Sequence, residues 1–154
     1  MSVTDPLREE HAHLRPHLDE LDAVADTLDS WTDETPARLD AILDFLRGHL
    51  VPHARAEEDV LYPAVERAMG APGATATMVA DHREIVRRTD ELAVGAATGP
   101  AAASTLRRQL YGLRAILDLH FDKEEEVLLP VLDAQLTPEQ ADRLFADMSA
   151  SAHH

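Results

Sequence analysis

The sequence predicts an all-α protein: an up-down-up-down four-helix bundle with a short C-terminal fifth helix. Three observations carry this. Apolar residues recur at alternating spacings of four and three along four segments. Breakers rich in glycine and proline separate those segments, and no run of β-branched residues reads as a strand. Finally, residues 53–66 (HARAEEDVLYPAVE) are echoed by residues 120–133 (HFDKEEEVLLPVLD), so the chain reads as a duplicated helical hairpin.

Helix 1 opens with Thr4 or Asp5 as N-cap, Pro6 in the first turn, and Glu9 and Glu10 near the positive end of the helix dipole. Its inward stripe is Leu7, His11, Leu14, Leu18, Leu21, Ala25 and Leu28. Helix 2 starts around Thr35 and Pro36. Its stripe is Leu39, Ile42, Leu46, Leu50, His53, Glu57 and Val60, and the run Met69-Gly70-Ala71-Pro72-Gly73 breaks it. Helix 3 carries Met78, His82, Ile85, Thr89 and Leu92, and the stretch from Gly95 to Pro100 reads as a loop. Helix 4 carries Leu106, Leu110, Leu113, Leu117, His120, Glu124, Val127 and Val131. Thr137-Pro138-Glu139-Gln140 has the form of a capping box opening a fifth helix through about Met148. The expected division is a bundle over residues 1–136 and a short helix with tail over 137–154. His153 and His154 receive no role.

Composition narrows the function. The chain has 154 residues, 45% of them hydrophobic, enough for one core. A formal net charge of −15 repels a phosphate backbone and an anionic membrane surface, so no nucleic acid or membrane partner is expected. The absence of cysteine excludes thiolate metal sites, iron–sulfur clusters and thiol catalysis. The first residues are acidic and polar, unlike a signal peptide. No stretch approaches the roughly 20 apolar residues of a membrane span. The expected location is cytoplasmic. The sequence leaves the oligomeric state open.

The repeat carries the chemistry. In each copy His is followed four residues later by Glu: His53 with Glu57, and His120 with Glu124. On a helix such a pair lies on one face, about one turn apart, so imidazole and carboxylate converge. His11 and His82 stand in the stripes of the preceding helices. In hairpins of similar length each returns to the level of its partner motif. A lone histidine in an apolar stripe is usually a hydrogen-bonded core residue. Six buried polar groups in a duplicated frame are costly unless paired, and metal ions in a bundle core would offset that cost. Imidazole suits iron, zinc, copper and nickel, and bridging carboxylates suit iron and manganese.

The order His, HxxxE, His, HxxxE on four helices resembles the hemerythrin-like family, the HHE cation-binding domains. The matching pieces are EEHAHL, PHARAEEDVLYP, ADHRE and LHFDKEEEVLLP, within residues 10–130. The resemblance implies a di-iron centre of two Fe ions. His11, His53, His82 and His120 would be terminal ligands. Glu57 and Glu124 would bridge, beside an oxo, hydroxo or water ligand. Oxygen-carrying members have a second histidine on helix 3 and a final HxxxxD. Here positions 78 and 86 are Met and Val, and the last motif is HxxxE, with Glu125 as the i+5 alternative. One iron therefore has fewer nitrogen ligands or recruits another residue, for which His17 and His49 are the candidates. His13 is read as solvated.

Other residues take supporting readings. Glu58 and Glu125 sit about 100° further round and either face solvent or orient histidine N–H groups. Pro52, Pro63 and Pro130 each remove a helical hydrogen bond. Pro63 and Pro130 recur at one offset and are expected to shape or end the helix beyond the site. Tyr62 and Tyr111 are candidates to reach the core, where a tyrosine would donate a hydrogen bond or ligate iron; for Tyr111 plain packing is the preferred reading. The resemblance implies an oxygen- or peroxide-reactive protein whose partners are O2, peroxide or another small diatomic ligand. The alternatives are an iron-binding or storage protein without turnover, and a metal-stabilised helical sensor module. Zinc remains open, though six ligands exceed one tetrahedral site. Catalase-like or ferroxidase-like turnover is left undecided.

Overall fold

The computed structural model describes residues 1–153. Five helices run α1 (Asp5–Thr27), α2 (residues 35–69), α3 (Ala76–Thr98), α4 (residues 103–135) and α5 (Pro138–Ala152). Around the bundle α1 neighbours α2, α2 neighbours α3, α3 neighbours α4, and α4 closes on α1. The architecture is the four-helix bundle with an added C-terminal helix that the sequence predicts. Helix α5 lies along the middle of α2. Among the described residues no helix is long and apolar enough to cross a membrane.

Two apolar clusters flank a polar layer. One holds Leu18, Leu21, Leu46, Leu110, Leu117 and Phe121. The other holds Leu7, Leu61, Tyr62, Leu129, Leu132 and Met148. His11, His53, Glu57, His82, His120 and Glu124 are buried with no more than 5% exposure.

Helices α2 and α4 are not uniform α-helix. Turns of π-helix occupy Leu46–Leu50, Glu57–Leu61 and Glu124–Leu128. Each begins six residues before a proline: Pro52, Pro63 and Pro130. Proline lacks the N–H that would reach back one turn. The residue just before it bonds five residues back instead: Val51 to the Leu46 carbonyl, Tyr62 to Glu57, and Leu129 to Glu124. The widened turn absorbs the extra residue, and the helix continues. The prolines thus shape their helices rather than ending them. Pro16 sits inside α1 without such a turn.

This widening corrects the stripe predicted beyond the site. A plain α-helix would turn Val60, Val127 and Val131 inward. Instead Val127 is 57% exposed, Val60 and Val131 are half-buried, and Leu61, Tyr62, Leu128, Leu129 and Leu132 fill the core. Two further details differ from expectation. Gly95 is not in a loop; it lies buried inside α3, where a Cβ would come within 2.7 Å of Leu106. Thr4 holds the N-cap position of α1, but its hydroxyl donates to Asp133 at the far end of α4 (2.6 Å). Gly70 closes α2 at φ 62°, a left-handed conformation that glycine adopts without steric cost. The Thr137–Gln140 capping box forms both of its hydrogen bonds.

Candidate metal centre

The four helices deliver the six seam residues to one level, in two overlapping groups. His11, His53, Glu57 and Glu124 place ligand atoms within 4.8 Å of one another, and so do Glu57, His82 and His120. Glu57 belongs to both groups. Its Oε2 lies 3.2 Å from His53 Nε2, and its Oε1 lies 3.1 Å from His82 Nε2 and 3.7 Å from His120 Nε2. Glu124 Oε1 lies 3.3 Å from His11 Nε2 and 3.5 Å from His120 Nε2. All four Nε2 atoms face inward.

The outward Nδ1 atoms explain that orientation. His53 Nδ1–H donates to Glu10 (2.8 Å), His82 to Glu58 (3.2 Å) and His120 to Asp81 (2.9 Å). Glu125 stands 3.7 Å from His11 Nδ1. Every acid reaches from one helix to the next around the ring: α1 to α2, α2 to α3, α3 to α4, and α4 back to α1. Two are held in turn, Asp81 by Lys123 (2.6 Å) and Glu125 by Arg15 (2.7 Å). A histidine that donates from Nδ1 presents a lone pair at Nε2, the form a metal requires. Glu58 and Glu125 therefore sit where they can orient histidines. Glu10 and Asp81 escape the sequence reading, although each directly precedes a seam histidine and serves the histidine of the next helix. Only the bundle's packing order reveals that pairing.

With the Nδ1–H of His53, His82 and His120 committed outward, lone pairs meet lone pairs inside. His82 Nε2 and His120 Nε2 are 3.0 Å apart. Buried polar atoms without a hydrogen-bond partner include His11 Nδ1 and Nε2, His53 Nε2, Glu57 Oε2 and Glu124 Oε1. Each such atom costs about 1–3 kcal/mol. Positive charge between these atoms removes the penalty, and the nitrogen-and-oxygen donor set fits first-row transition ions. In the protein alone, protons answer the same need. Burial would lower the pKa of His53, but the Glu57 and Glu10 carboxylates outweigh it and raise the imidazole to about 10. Burial also opposes ionisation of Glu57, yet the charge of His53 holds this carboxyl well below its ordinary range. Glu124 is pushed well above that range by burial and by the charge of Glu57. His11 is lowered to about 4, chiefly by burial.

Tyr62 completes the layer. Its buried hydroxyl lies 3.1 Å from Glu124 Oε2, 3.2 Å from both His82 Nε2 and His120 Nε2, and 3.4 Å from Glu57 Oε1. Its pKa is raised, first by burial and then by the two glutamates. Tyr62 stands five residues after Glu57, about 140° off that face in a regular α-helix. The π-turn removes one residue from the count and brings it back. His17 and His49 lie outside both groups. Each is exposed; the ring of His17 stacks on Phe45 at 4.3 Å, and that of His49 lies 6.5 Å from the same ring. His13 is exposed, and Tyr111 bonds Asp26 at the surface. Met78 is buried in the apolar cluster below the layer, and Val86 is 40% exposed, so α3 brings His82 alone.

A family model, the hemerythrin HHE cation-binding domain, matches residues 2–132. Searches of curated proteins and of solved structures returned no match.

Proposed function

Because this chain belongs to the hemerythrin HHE cation-binding domain family, we propose that its buried layer holds a pair of iron ions and serves a protein that binds or reacts with O2 or peroxide. The observation behind this is the pair of ligand groups sharing Glu57, with unpartnered nitrogen and oxygen atoms aimed between them. In this reading His11 and His53 would hold one ion, His82 and His120 would hold the other, and Glu57 and Glu124 would be shared between them. When bound, such a pair supplies reversible one-electron steps at each ion, which O2 and peroxide chemistry uses.

The chain's own residues set the terms. The carboxylate ring fixes the imidazoles of His53, His82 and His120, and the apolar clusters above and below exclude bulk water. A narrow space of about 10 Å³ reaches His53, Glu57, His82 and His120, room for one water-sized molecule. Tyr62, whose hydroxyl lies within 3.4 Å of Glu57, His82, His120 and Glu124, would be the extra donor for the ion of the second group, or a hydroxyl for a small molecule beside it, in place of His17 or His49. The single histidine of α3 and the phenol beside the second group would favour reaction with peroxide over simple carriage.

Metal analysis of protein purified without an affinity tag tests the centre, and O2 release after peroxide addition tests turnover. A pair of irons per chain with O2 release is expected. Iron without O2 release would leave a binding or storage protein. Protein that takes up no iron under reducing conditions would end the proposal.

A further inference from the structure

The ligands are buried, so a hydrated cation needs a way in, and the two halves of the repeat meet the surface differently. In the second half, Asp81 on His120 is covered from outside by Lys123 (2.6 Å). In the first half, Glu10 on His53 has 51% of its side chain exposed. Among the described residues its carboxylate has no partner besides His53. The repeat places Ala56 where the second half has Lys123. A cleft of about 400 Å³ opens there, walled by Glu10 of α1, by His49, His53 and Ala56 of α2, and by Met148 and Ser149 of α5. His53 lines both this cleft and the narrow space between α2 and α3. Its ring stands between the exposed Glu10, at Nδ1, and the buried Glu57, at Nε2.

We propose that this cleft is the mouth through which divalent cations are loaded. Glu10 and His49 capture the hydrated ion at the rim, and His53 passes it inward by rotating away from Glu57. The net charge of −15 draws cations toward the protein, and the missing lysine leaves an acid free to receive them. This gives His49 a role as a transient ligand, outside the final set. It also gives α5, which lies beyond the matched family region, a role as the wall of the mouth. The inference rests on the reading of the layer as a cation centre.

The test is the rate of Co(II) uptake by metal-free protein, followed by absorption after rapid mixing, with the final Co(II) content measured separately. Ser149→Trp fills the cleft from an exposed position on α5, His49→Ala removes the rim ligand, and Val94→Trp on the exposed side of α3 is the control. Ser149→Trp is expected to slow loading roughly tenfold and His49→Ala several-fold, within the range by which charged clefts change arrival rates. Final content should match the parent in both, and Val94→Trp should load normally. If the tryptophan unfolds α5, seen as a lost melting transition, His49→Ala alone decides. Full content reached at the parental rate by the folded variants overturns the mouth and leaves the centre intact. A parent protein that takes up no Co(II) overturns both.

Discussion

The first hairpin (α1 and α2) and the second (α3 and α4) have one design and differ at a few chosen places. Each supplies a lone histidine, an HxxxE motif, a π-turn starting at the glutamate, and a proline six residues on. They part where the first has Tyr62 and the second Leu129, both buried, and where the first has Ala56 and the second Lys123. Helix α5 lies along α2 of the first. Two equivalent frames thus make an inequivalent centre, with a phenol facing the second group and an opening beside the first. Symmetry holds the ligands, and the departures from it are where chemistry and access enter.

Removing the shared element should break the comparison most completely. Glu57→Ala should abolish binding of both ions, read as metal content near zero after gel filtration. His120→Ala should empty the second group and leave the first filled. His53→Ala should do the reverse, while lowering metal-dependent stability because one carboxylate loses its compensation. A full iron complement in either histidine variant would sink the assignment.

Acid should act on both halves at once, but unequally by residue. In the metal-free protein His53, raised to about 10, carries a proton at neutral pH, and Glu124, pushed well above the ordinary carboxyl range, gives up its proton less readily than a free carboxyl. A cation must displace them, so apparent affinity should rise with pH, by up to about tenfold per pH unit for each proton released. His11, lowered to about 4, is already neutral and adds no proton until the pH falls toward that value. Titration calorimetry in buffers of different ionisation heat counts the protons directly.

Smaller changes sharpen the asymmetry. Asp81→Asn and Glu10→Gln each loosen one histidine, and roughly a 10- to 100-fold loss of affinity is expected in the half concerned. Tyr62→Phe should leave metal content intact and remove any phenolate-to-iron absorption in the visible range; an unchanged visible spectrum would place the phenol off the metal. His13→Ala, at an exposed position, should change none of these readouts.

The fold was legible because the stripes along α1 and α3 keep an unbroken helical period, from Leu7 through Leu28 and from Met78 through Leu92. His11, His82, His120 and Glu124 were legible for the same reason, since each lies before any change of period; His53 and Glu57 follow the π-turn at Leu46–Leu50 and were legible from their own i, i+4 spacing and its repeat at His120 and Glu124. Beyond Glu57 and Glu124 the reading slipped by one residue. The prolines were visible, but a missing N–H reads equally as a stop, a kink or a widened turn, and only packing selects among them. That is why Val127 was assigned inward and is exposed. Glu10 and Asp81 were invisible for another reason: their partners sit on neighbouring helices some forty positions away, and helical spacing carries no information about such pairs.

The two ligand groups borrow across the repeat. The first takes Glu124 from the second hairpin, and the second takes Glu57 from the first. Neither hairpin owns a complete set. Cutting the polypeptide at the α2–α3 connection, near Gly73, would leave two hairpins that each lack donors, and a transition ion would then act as their glue. Mixed fragments should associate in its presence and separate on chelation, which analytical ultracentrifugation would follow. For two such halves, cofactor capture and assembly would become a single event.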